Sequence, residues 1–545
     1  MKTKLRQSSA VLLSWLVLSV FSLASAYNHR PKLVVIVVID QFRGDYLERY
    51  HDEFGANGFR LFIDKGAFFT DCYYDYANTE TAPGHATLLT GAYSNGHGIL
   101  VNEWWDTQQK RMVTSVEDRA TTVVGAGSGA GSSPHNLMAS TLGDELKLAT
   151  QGRSRVFGIA LKDRAAVLPA GWSGDGAYWI DKSTGAWVTS TYYRKELPAW
   201  VAEFNRSRPE KYWNREWKDA DGKTLATTTQ KPGADFYTTV GSTSFGNEYE
   251  LEFARELVSN EHLGSGPTTD LLVVSLSPND LLGHAVGPDA PEMHAMALDL
   301  DRQLGDFFRV LGQQVGTQNL WLALSADHGV APVPEAAQKI RIPATRIPSE
   351  QELKSSLNSA LATKLGQPGD YVNALGGSIV FLSAEAFSGL HLTEAQAEEA
   401  AGEALMGLSE TQPGTRGYFT KVQLKRGEVP ATEWGKKYLH SYSPVGGWWV
   451  IGVPPPFATG GKRGTGHGMP YTYDTHVPLA FYGSVFKPGY YRTHAETVDL
   501  AATLASLLGI NAPSSAVGRV LTEAVATSNA AVPVKTHPAA KERGR

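Results

Sequence analysis

The stretch Leu33-Val-Val-Ile-Val-Val-Ile39 is an unbroken run of apolar, mostly β-branched residues. Such a run is typical of a β-strand that is buried on both faces, as the central strands of a parallel sheet are. Similar apolar runs occur further along the chain, at residues 271–275, 320–324 and 477–482. The sequence therefore contains four candidate strands for the interior of one sheet.

Amphipathic helical patterns separate these apolar runs, at residues 137–148, 248–258 and 293–311. Buried strands that alternate with amphipathic helices indicate an α/β fold, because a helix is the usual connection between two parallel strands. The sequence therefore predicts a layered α/β/α architecture with a mainly parallel central sheet.

The chain of 545 residues is too long for this sheet alone. Its length predicts a large α/β core, residues 27–340 and 426–525, that carries inserted elements. Residues 166–245 are rich in Trp, Tyr, Gly and Thr. They predict inserted strands and long loops over the edge of the sheet.

Residues 341–425 predict a small inserted α+β subdomain. Ser349 followed by Glu352, and Thr393 followed by Gln396, are capping-box patterns, each of which predicts the start of a helix. Two strands are predicted in the same segment, at residues 378–382 and 418–424.

The first 26 residues have the pattern of a signal peptide. A basic start is followed by an apolar run at 10–23 and by the small residues Ala24-Ser25-Ala26. The pattern predicts an exported protein, periplasmic or secreted, without a membrane span once the peptide is removed. The alternative is an uncleaved membrane anchor. At the other end, residues 526–545 are rich in Ala, Pro and Lys and predict a disordered tail.

Charge and cysteine content exclude several kinds of function. A net charge of -5 gives no indication of a nucleic-acid scaffold. The single cysteine, Cys72, can form neither an internal disulfide nor a cysteine-based metal site. We expect a monomer that acts on small molecules.

Carboxylate and imidazole side chains follow the predicted strands. Each one alone is more often a helix cap or a turn residue. However, the carboxyl ends of parallel strands meet at one edge of a sheet, where functional sites form. Oxygen and nitrogen donors without a thiolate suit zinc, although other divalent metals are possible. The candidate metal ligands are Asp40, Asp280, His284, Asp327, His328 and His467.

A candidate nucleophile lies in the segment 78–85, which contains Thr79 and Thr81. A helix is predicted to start at residues 86–89, and the N-terminus of a helix favours an anion. Either threonine could instead be a simple N-cap. A hydroxyl bound to a metal would lose its proton more easily and become a strong nucleophile.

Together, these motifs resemble the alkaline phosphatase superfamily, and within it the PafA-type bacterial enzymes, which are related to the nucleotide pyrophosphatase/phosphodiesterases. The resemblance extends over most of residues 30–525. It is carried by Asp40, Thr81-Ala-Pro-Gly-His85, Asp280 with His284, Asp327-His328-Gly329 and Gly466-His467-Gly468.

The resemblance implies two zinc ions and a nucleophile. One zinc would be bound by Asp280, His284 and His467. The other would be bound by Asp40, Asp327, His328 and the oxygen of Thr81, which would also be the nucleophile. His476 could be mistaken for the third histidine ligand, but His467 lies in the glycine-flanked loop that is typical of it.

The resemblance also implies three residues that bind substrate. Asn102 is similar to the asparagine that contacts a phosphoryl oxygen. Lys162 and Arg164 are similar to the pair that separates these phosphatases from the phosphodiesterases. A lysine and a forked arginine favour the dianion of a phosphate monoester.

We therefore expect an exported, metal-dependent alkaline phosphatase that hydrolyses phosphate monoesters through a phosphothreonine intermediate. One alternative is a phosphodiesterase or nucleotide pyrophosphatase with the same two metals. A second alternative, from another functional class, is a metal-binding protein that has lost catalysis.

Overall fold

The computed structural model describes residues 30–229, 234–409 and 414–526. The predicted signal peptide lies outside these ranges, and so does the predicted tail apart from Ala526. This residue donates its backbone N–H to the carbonyl of Val485 at 2.8 Å. Among the described residues, no helix combines the length and the apolar character that a membrane span requires.

The strands confirm the apolar runs as the interior of one sheet, and every residue of the first strand is buried. In chain order the strands are β1 Leu33–Ile39, β2 Ala67–Phe69, β3 Cys72–Tyr73, β4 Glu103–Asp106, β5 Arg111–Thr114, β6 Glu117–Val124, β7 Ala130–Ser132, β8 Val156–Ile159, β9 Gly176–Ile180, β10 Trp187–Ser190, β11 Glu216–Lys218, β12 Thr224–Thr227, β13 Asp270–Leu276, β14 Leu320–Ser325, β15 Thr345–Ile347, β16 Val372–Gly376, β17 Ile379–Leu382, β18 Tyr418–Thr420, β19 Trp449–Gly452, β20 Ala458–Gly460, β21 Leu479–Tyr482, β22 Gly489–Tyr491 and β23 Ala495–Glu496.

The helices lie between the strands of the large sheet and within the small subdomain. In chain order the helices are α1 Tyr46–Arg49, α2 Phe59–Lys65, α3 Thr81–Thr90, α4 Ser94–His97, α5 Leu142–Ala149, α6 Asp163–Ala170, α7 Ala199–Ser207, α8 Ala234–Gly241, α9 Ser244–Asn260, α10 Pro278–Val286, α11 Pro291–Leu311, α12 Pro334–Lys339, α13 Glu350–Leu365, α14 Ala384–Ser388, α15 Glu394–Leu408, α16 Lys421–Arg426, α17 Glu433–His440, α18 Thr472–Thr475 and α19 Asp499–Leu508.

The large sheet has 11 strands in the order β22-β2-β21-β14-β1-β13-β8-β9-β10-β6-β7. Its centre, β14-β1-β13-β8-β9, is parallel. Helices α3 and α6 pack on each other, as do α9 and α11, and α6 and α9 both contact β13. The α/β class is thus confirmed, and the sheet is buried on both faces, as the uniform apolar runs predict.

The parallel arrangement does not extend to the outer strands, so the sheet as a whole is mixed. β21 runs antiparallel to β14, and β10 runs antiparallel to β9. The apolar run at 477–482 is a buried strand, but its direction could not be read from its composition, because burial on both faces produces the same pattern in either direction.

The segment predicted as an insertion at 166–245 is partly core. It includes most of helix α6, and β9 and β10 extend the large sheet. Only the later part matches the prediction: β11 and β12 form a separate two-stranded sheet.

The small α+β subdomain exists, but the predicted boundary at residue 425 is wrong. Its four-stranded sheet, in the order β16-β17-β19-β18, includes Trp449–Gly452, and β20 pairs with β15. Both predicted capping boxes are present, at Ser349 and Thr393. The predicted strand 418–424 is a strand only to Thr420, which caps helix α16. Residues 449–460 return to the subdomain through pairing with distant strands, and such pairing produces no local sequence pattern that would have predicted it.

Candidate active site

The predicted ligands gather at the carboxyl edge of the parallel strands. Asp40 directly follows β1, Asp280 lies in the first turn of the helix after β13, and Asp327 comes two residues after β14. All three carboxylates are buried. The topology therefore places three acidic groups from distant parts of the chain side by side.

One cluster combines Asp280 with two histidines. His284, one helical turn further along α10, places its Nε2 atom 3.1 Å from Asp280 Oδ1. His467, from the loop after β20, places its Nε2 atom 3.6 Å from the same oxygen. The ligand atoms of these three side chains all lie within 4.8 Å of one another, which is close enough to share one metal ion.

A second cluster adjoins the first, and consists of Asp40, Asp280 and His328. His328 Nε2 lies 3.5 Å from Asp40 Oδ1 and 3.5 Å from Asp327 Oδ2. Since Asp280 belongs to both clusters, the six predicted ligands form one continuous group. The structure thus brings together the ligand residues that the sequence singled out.

The three histidines share one orientation. The Nδ1 atom of His284 faces the carbonyl of Thr465 at 2.9 Å, that of His328 faces Gly329 at 3.0 Å, and that of His467 faces Thr79 at 2.7 Å. A carbonyl only accepts, so each Nδ1 atom carries a proton. Each Nε2 atom is thereby turned toward the carboxylates, where it could bind a metal ion once it has no proton, as metal-ligating histidines do.

Three buried acceptor atoms test whether this site fits a metal. Asp40 Oδ1, Asp327 Oδ2 and His328 Nε2 have no hydrogen-bond partner within the described part of the chain. Leaving a buried polar atom without a partner costs about 1–3 kcal/mol. A divalent cation would satisfy all three, and carboxylate oxygens with imidazole nitrogens are a donor set that divalent transition metals accept.

Lys162 lies in the middle of this acidic group. Its Nζ atom is 2.6 Å from Asp40 Oδ2 and 2.6 Å from Asp280 Oδ2. Burial disfavours the charged ammonium, but the carboxylates of Asp280 and Asp40 outweigh burial and raise the pKa of Lys162. The lysine therefore carries a positive charge at the point where an anionic substrate would enter.

The carboxylates respond differently to this arrangement. Burial opposes the ionisation of Asp280, but Lys162 and His284 outweigh it and hold its pKa well below the usual range. Burial, together with the charge of Asp40, raises the pKa of Asp327 well above that range. In turn, the carboxylate of Asp280 raises the pKa of His284 to about 9, against burial.

Thr81 is the first residue of α3, and it is buried beside the acidic group. Its Oγ1 atom lies 3.4 Å from Lys162 Nζ. The helix thus begins five residues before the predicted start at 86, and its N-cap is Glu80. The positive end of the helix dipole favours an anion, so the Thr81 hydroxyl lies at the end of the helix where an anion is stabilised.

The predicted substrate-binding residues lie around this helix N-terminus. Asn102 Oδ1 accepts the backbone N–H of Ala82 at 2.8 Å, which fixes the side-chain amide beside Thr81. Arg164 lies in the first turn of α6, and its Nε atom is buried without a hydrogen-bond partner in the described chain. An unpaired buried guanidinium nitrogen next to Lys162 is suited to bind an anionic oxygen.

His476 lies outside the clustered ligands. Its ring stacks on Tyr73 at 4.8 Å, and its Nε2 atom lies 2.9 Å from the carbonyl of Thr70. Gly44 allows this packing, since a Cβ atom there would lie 2.7 Å from the His476 ring. Of the two histidines left open by the sequence, the geometry therefore favours His467.

Three residues that support the site were missed by sequence reasoning. Gln41, in the left-handed region at φ 64°, donates its backbone N–H to Asp327 and its side-chain amide to Asp280. Glu80 accepts the backbone N–H of Asn102 at 2.8 Å. Glu250 accepts backbone N–H groups of the two loops that carry Lys162 and Asp280. Gln41 and Glu80 could have been indicated only by their positions in the sequence next to Asp40 and Thr81. No neighbouring motif in the sequence indicates Glu250.

The fold and this site define an α/β protein of the alkaline phosphatase superfamily. The sequence profile described as "Type I phosphodiesterase / nucleotide pyrophosphatase" matches residues 34–441. The chain belongs to this family.

Known relatives are similar along nearly the whole chain. A protein of Myroides odoratus named "Calcium-transporting ATPase" is 34% identical over 92% of this chain and 96% of its own length. "Alkaline phosphatase PafA" of Elizabethkingia meningoseptica is 33% identical over 91% of this chain and 95% of its own length. The crystal structure of wild-type alkaline phosphatase PafA matches with a TM-score of 0.81 at 32% identity, and covers 91% of this chain and 99% of that one. The chain is thus similar to PafA-type alkaline phosphatases in both sequence and fold.

Proposed function

We propose that this protein is an alkaline phosphatase that hydrolyses phosphate monoesters through a covalent phosphothreonine at Thr81. The observation that carries the proposal is the position of the Thr81 hydroxyl. It lies at a helix N-terminus, 3.4 Å from a buried lysine that bridges Asp40 and Asp280. The resemblance to enzymes named alkaline phosphatase supports the same reaction.

We propose that two divalent metal ions, zinc by the chemistry of the donors, bind here. Asp280, His284 and His467 would hold one ion. Asp40, Asp327, His328 and the Thr81 oxygen would hold the other. When bound, the ions act as Lewis acids that favour the ionised threonine and offset the charge of the phosphoryl group.

The residues of the chain then have separate tasks. The Thr81 hydroxyl loses its proton to solvent, and its oxygen forms a bond to phosphorus while the bond to the ester oxygen breaks; the leaving oxygen takes a proton from solvent and departs as the alcohol. Water then attacks the phosphothreonine, which releases inorganic phosphate and restores the hydroxyl. Lys162, Arg164 and Asn102 bind the other phosphoryl oxygens, so the dianion of a monoester is favoured.

Substitution of the threonines tests this proposal. Thr81→Ala should lower kcat/KM for an aryl phosphate more than about 1,000-fold, because the nucleophile is lost. Thr79→Ala is the matched control, because its hydroxyl donates to the carbonyl of Met469 and to Asp474 and contacts none of the predicted metal ligands. Mass spectrometry of acid-quenched wild-type enzyme should find one added phosphoryl group on the peptide that contains Thr81.

Two results would contradict the proposal. One is near wild-type turnover by Thr81→Ala. The other is faster hydrolysis of a bis-aryl phosphate than of the aryl phosphate, which would support the phosphodiesterase alternative. Residues 1–26 support a further proposal, that the enzyme is exported to the periplasm or the medium, which cell fractionation tests. We also propose that the enzyme acts as a monomer, which sedimentation tests.

A further inference from the structure

A lysine at the rim of the active site has no role in the proposed reaction. Lys182 lies two residues after the end of β9, and β9 runs parallel to β8, whose end carries Lys162 and Arg164. The N–H of Ile180 donates to the carbonyl of Leu161 at 3.3 Å, so the two strand ends are in direct contact. Lys182 and Lys162 therefore project from the same edge of the sheet.

The turn that presents Lys182 is held by Asp181. The Oδ1 atom of Asp181 accepts the backbone N–H groups of Ser183 and Thr184 at 3.1 and 2.9 Å, and their hydroxyls as well. Asp181 is thus engaged within the turn. Among the described residues, Lys182 forms neither an ion pair nor a side-chain hydrogen bond, so its charge is available to a ligand.

Tyr237 connects Lys182 to the active site. The Nζ atom of Lys182 lies 6.0 Å from the centroid of the Tyr237 ring, within the range of a cation–π contact. Burial raises the pKa of Tyr237, and the positive charges of Lys162 and Arg164 oppose this rise. The phenol thus lies within electrostatic reach of the cations that face the substrate.

Both positive and negative groups surround Lys182, but none of the described carboxylates forms an ion pair with it. Partial burial of the ammonium, together with the charges of Arg164 and Lys162, lowers the pKa of Lys182, against the opposing effect of Asp163 and Glu103. The carboxylate of Asp163 is itself occupied by the hydroxyl of Ser132 and the N–H of Arg164. Arg164 also keeps its buried Nε atom without a partner in the described chain.

We propose that Lys182, with Tyr237 beside it, forms a subsite for a second phosphate group of the substrate, next to the phosphoryl group that Arg164 binds. This inference rests on the proposed function, which places the first phosphoryl group at Thr81. A single phosphoryl group needs only the cations already next to Thr81. A phosphate attached to it would bring further negative charge to the rim, where the ammonium of Lys182 can bind it.

The substrates of this class carry a phosphate next to the scissile one, as a nucleoside diphosphate does. With ADP, the terminal phosphoryl group is transferred to Thr81 and then to water. The bond from the terminal phosphorus to the bridging oxygen breaks, and AMP leaves with that oxygen. The subsite would bind the phosphate that remains on AMP.

The test compares ADP with AMP as substrates of the metal-loaded enzyme. Lys182→Gln should lower kcat/KM for ADP about tenfold and that for AMP less than about twofold. Lys182→Arg should restore most of the loss on ADP, because the charge returns. Lys223→Gln is the matched control, since Lys223 lies exposed on the β11–β12 turn and should change neither value. An equal loss on ADP and AMP, or no loss on ADP, would overturn the subsite.

A binding measurement separates this inference from the proposed function. In a Thr81→Ala background, calorimetry should show that Lys182→Gln weakens ADP binding about tenfold and leaves AMP binding within about twofold. Lys182-dependent ADP binding by an enzyme whose wild type releases no phosphate would support the subsite and overturn the proposed phosphatase reaction. Normal AMP turnover with ADP binding that is independent of Lys182 would overturn the subsite alone.

Discussion

At the scale of single residues, the proposed site combines cations that would bind the phosphoryl group with anions that would bind metal. Lys162 links the two sets: it contacts two predicted metal ligands, and it also approaches Thr81. Arg164 has no such ties within the described chain. We therefore expect these two residues to favour a dianionic over a monoanionic phosphoryl group.

The double substitution Lys162→Ala with Arg164→Ala should separate monoester from diester hydrolysis. A monoester has one more anionic oxygen for these cations to bind, so its kcat/KM should fall about 100-fold more than that of a diester. Parallel kinetics with an aryl phosphate and a bis-aryl phosphate give the ratio. Equal losses on both substrates would show that the pair does not select the dianion.

His467 and His476 form a matched pair for testing metal ligation. His467→Ala should reduce metal affinity at least about 100-fold, because one of the three proposed ligands of that ion is lost. His476→Ala removes a ring that stacks on Tyr73, so it should lower stability and leave metal affinity within a few-fold. Elemental analysis after dialysis against a metal buffer measures both, and equal metal loss in the two variants would argue against His467 as a ligand.

At the scale of elements, helix α9 holds two strand ends together. Glu250, fully buried on this helix, accepts the N–H of Leu161 after β8 at 2.8 Å and that of Ser277 after β13 at 3.3 Å. Through these contacts one side chain aligns the loops that carry Lys162 and Asp280. The contacts join residues that are distant in sequence, so only the folded chain reveals them.

Glu250→Ala should lower the free energy of unfolding by about 3 kcal/mol, because two buried N–H groups lose their acceptor. Glu250→Gln should cost less, since the amide oxygen can still accept one of them. Glu256→Ala, on the same helix but in a partly exposed pair with Arg208, is the control and should cost less than about 1 kcal/mol. Urea denaturation measures all three, and a harmless Glu250→Ala would show that α9 does not align the strand ends.

Helix α15 of the subdomain carries a second buried acid, Glu398. Burial raises the pKa of Glu398 to about 8 in the folded state, from 4.5 in the unfolded chain, and Lys421 offsets part of this rise. Between these two pH values the folded state binds more protons than the unfolded state. The contribution of Glu398 to stability is therefore fully present below pH 4.5 and is lost as the pH rises through 8.

Glu398→Gln should remove this pH dependence. The difference in free energy of unfolding between variant and wild type should shift in favour of the variant by up to about 1.4 kcal/mol per pH unit between pH 5 and 8. The amide still accepts the N–H of Val422, so the contact itself is kept. Urea titrations of both proteins across this range give the difference, and a constant difference would refute the assigned shift.

At the scale of the whole molecule, the proposed metal site ties three parts of the core together. Asp40, Asp280 and Asp327 each follow a different strand, and all three are buried. Without a metal ion, Lys162 offsets part of the mutual repulsion of these carboxylates, and what repulsion remains works against the packing of β1, β13 and β14. Metal binding and global stability should therefore be linked.

Exhaustive chelation should abolish phosphatase activity and lower Tm by roughly 5 °C. Addition of zinc should restore both. Differential scanning fluorimetry and activity on the same samples test the linkage, with Asp40→Asn as a variant whose Tm should respond less to the chelator. Full activity after the metal has been removed, as verified by elemental analysis, would contradict the proposed metal site.

Local sequence patterns determined a large part of this protein. The apolar runs predicted the central strands, because burial on both faces selects the same branched residues wherever such a strand occurs. The capping boxes at Ser349 and Thr393 were also predictable, since they depend on residues three positions apart. The positions of acidic and imidazole residues after the strands indicated which side chains would form a site. The folded chain brings the six predicted metal ligands together.

Other features were decided only by the tertiary structure. The direction of β21, the return of residues 449–460 to the subdomain and the start of α3 at Thr81 depend on partners far away in the chain. The same holds for the packing of His476 away from the site, for Glu250 beneath it and for Lys182 at its rim. A sequence shows which groups a chain possesses, whereas contacts between distant segments decide which of them share a site. The entropy cost of bringing distant segments together, and the packing energy that offsets it, arise only when the sheet has formed.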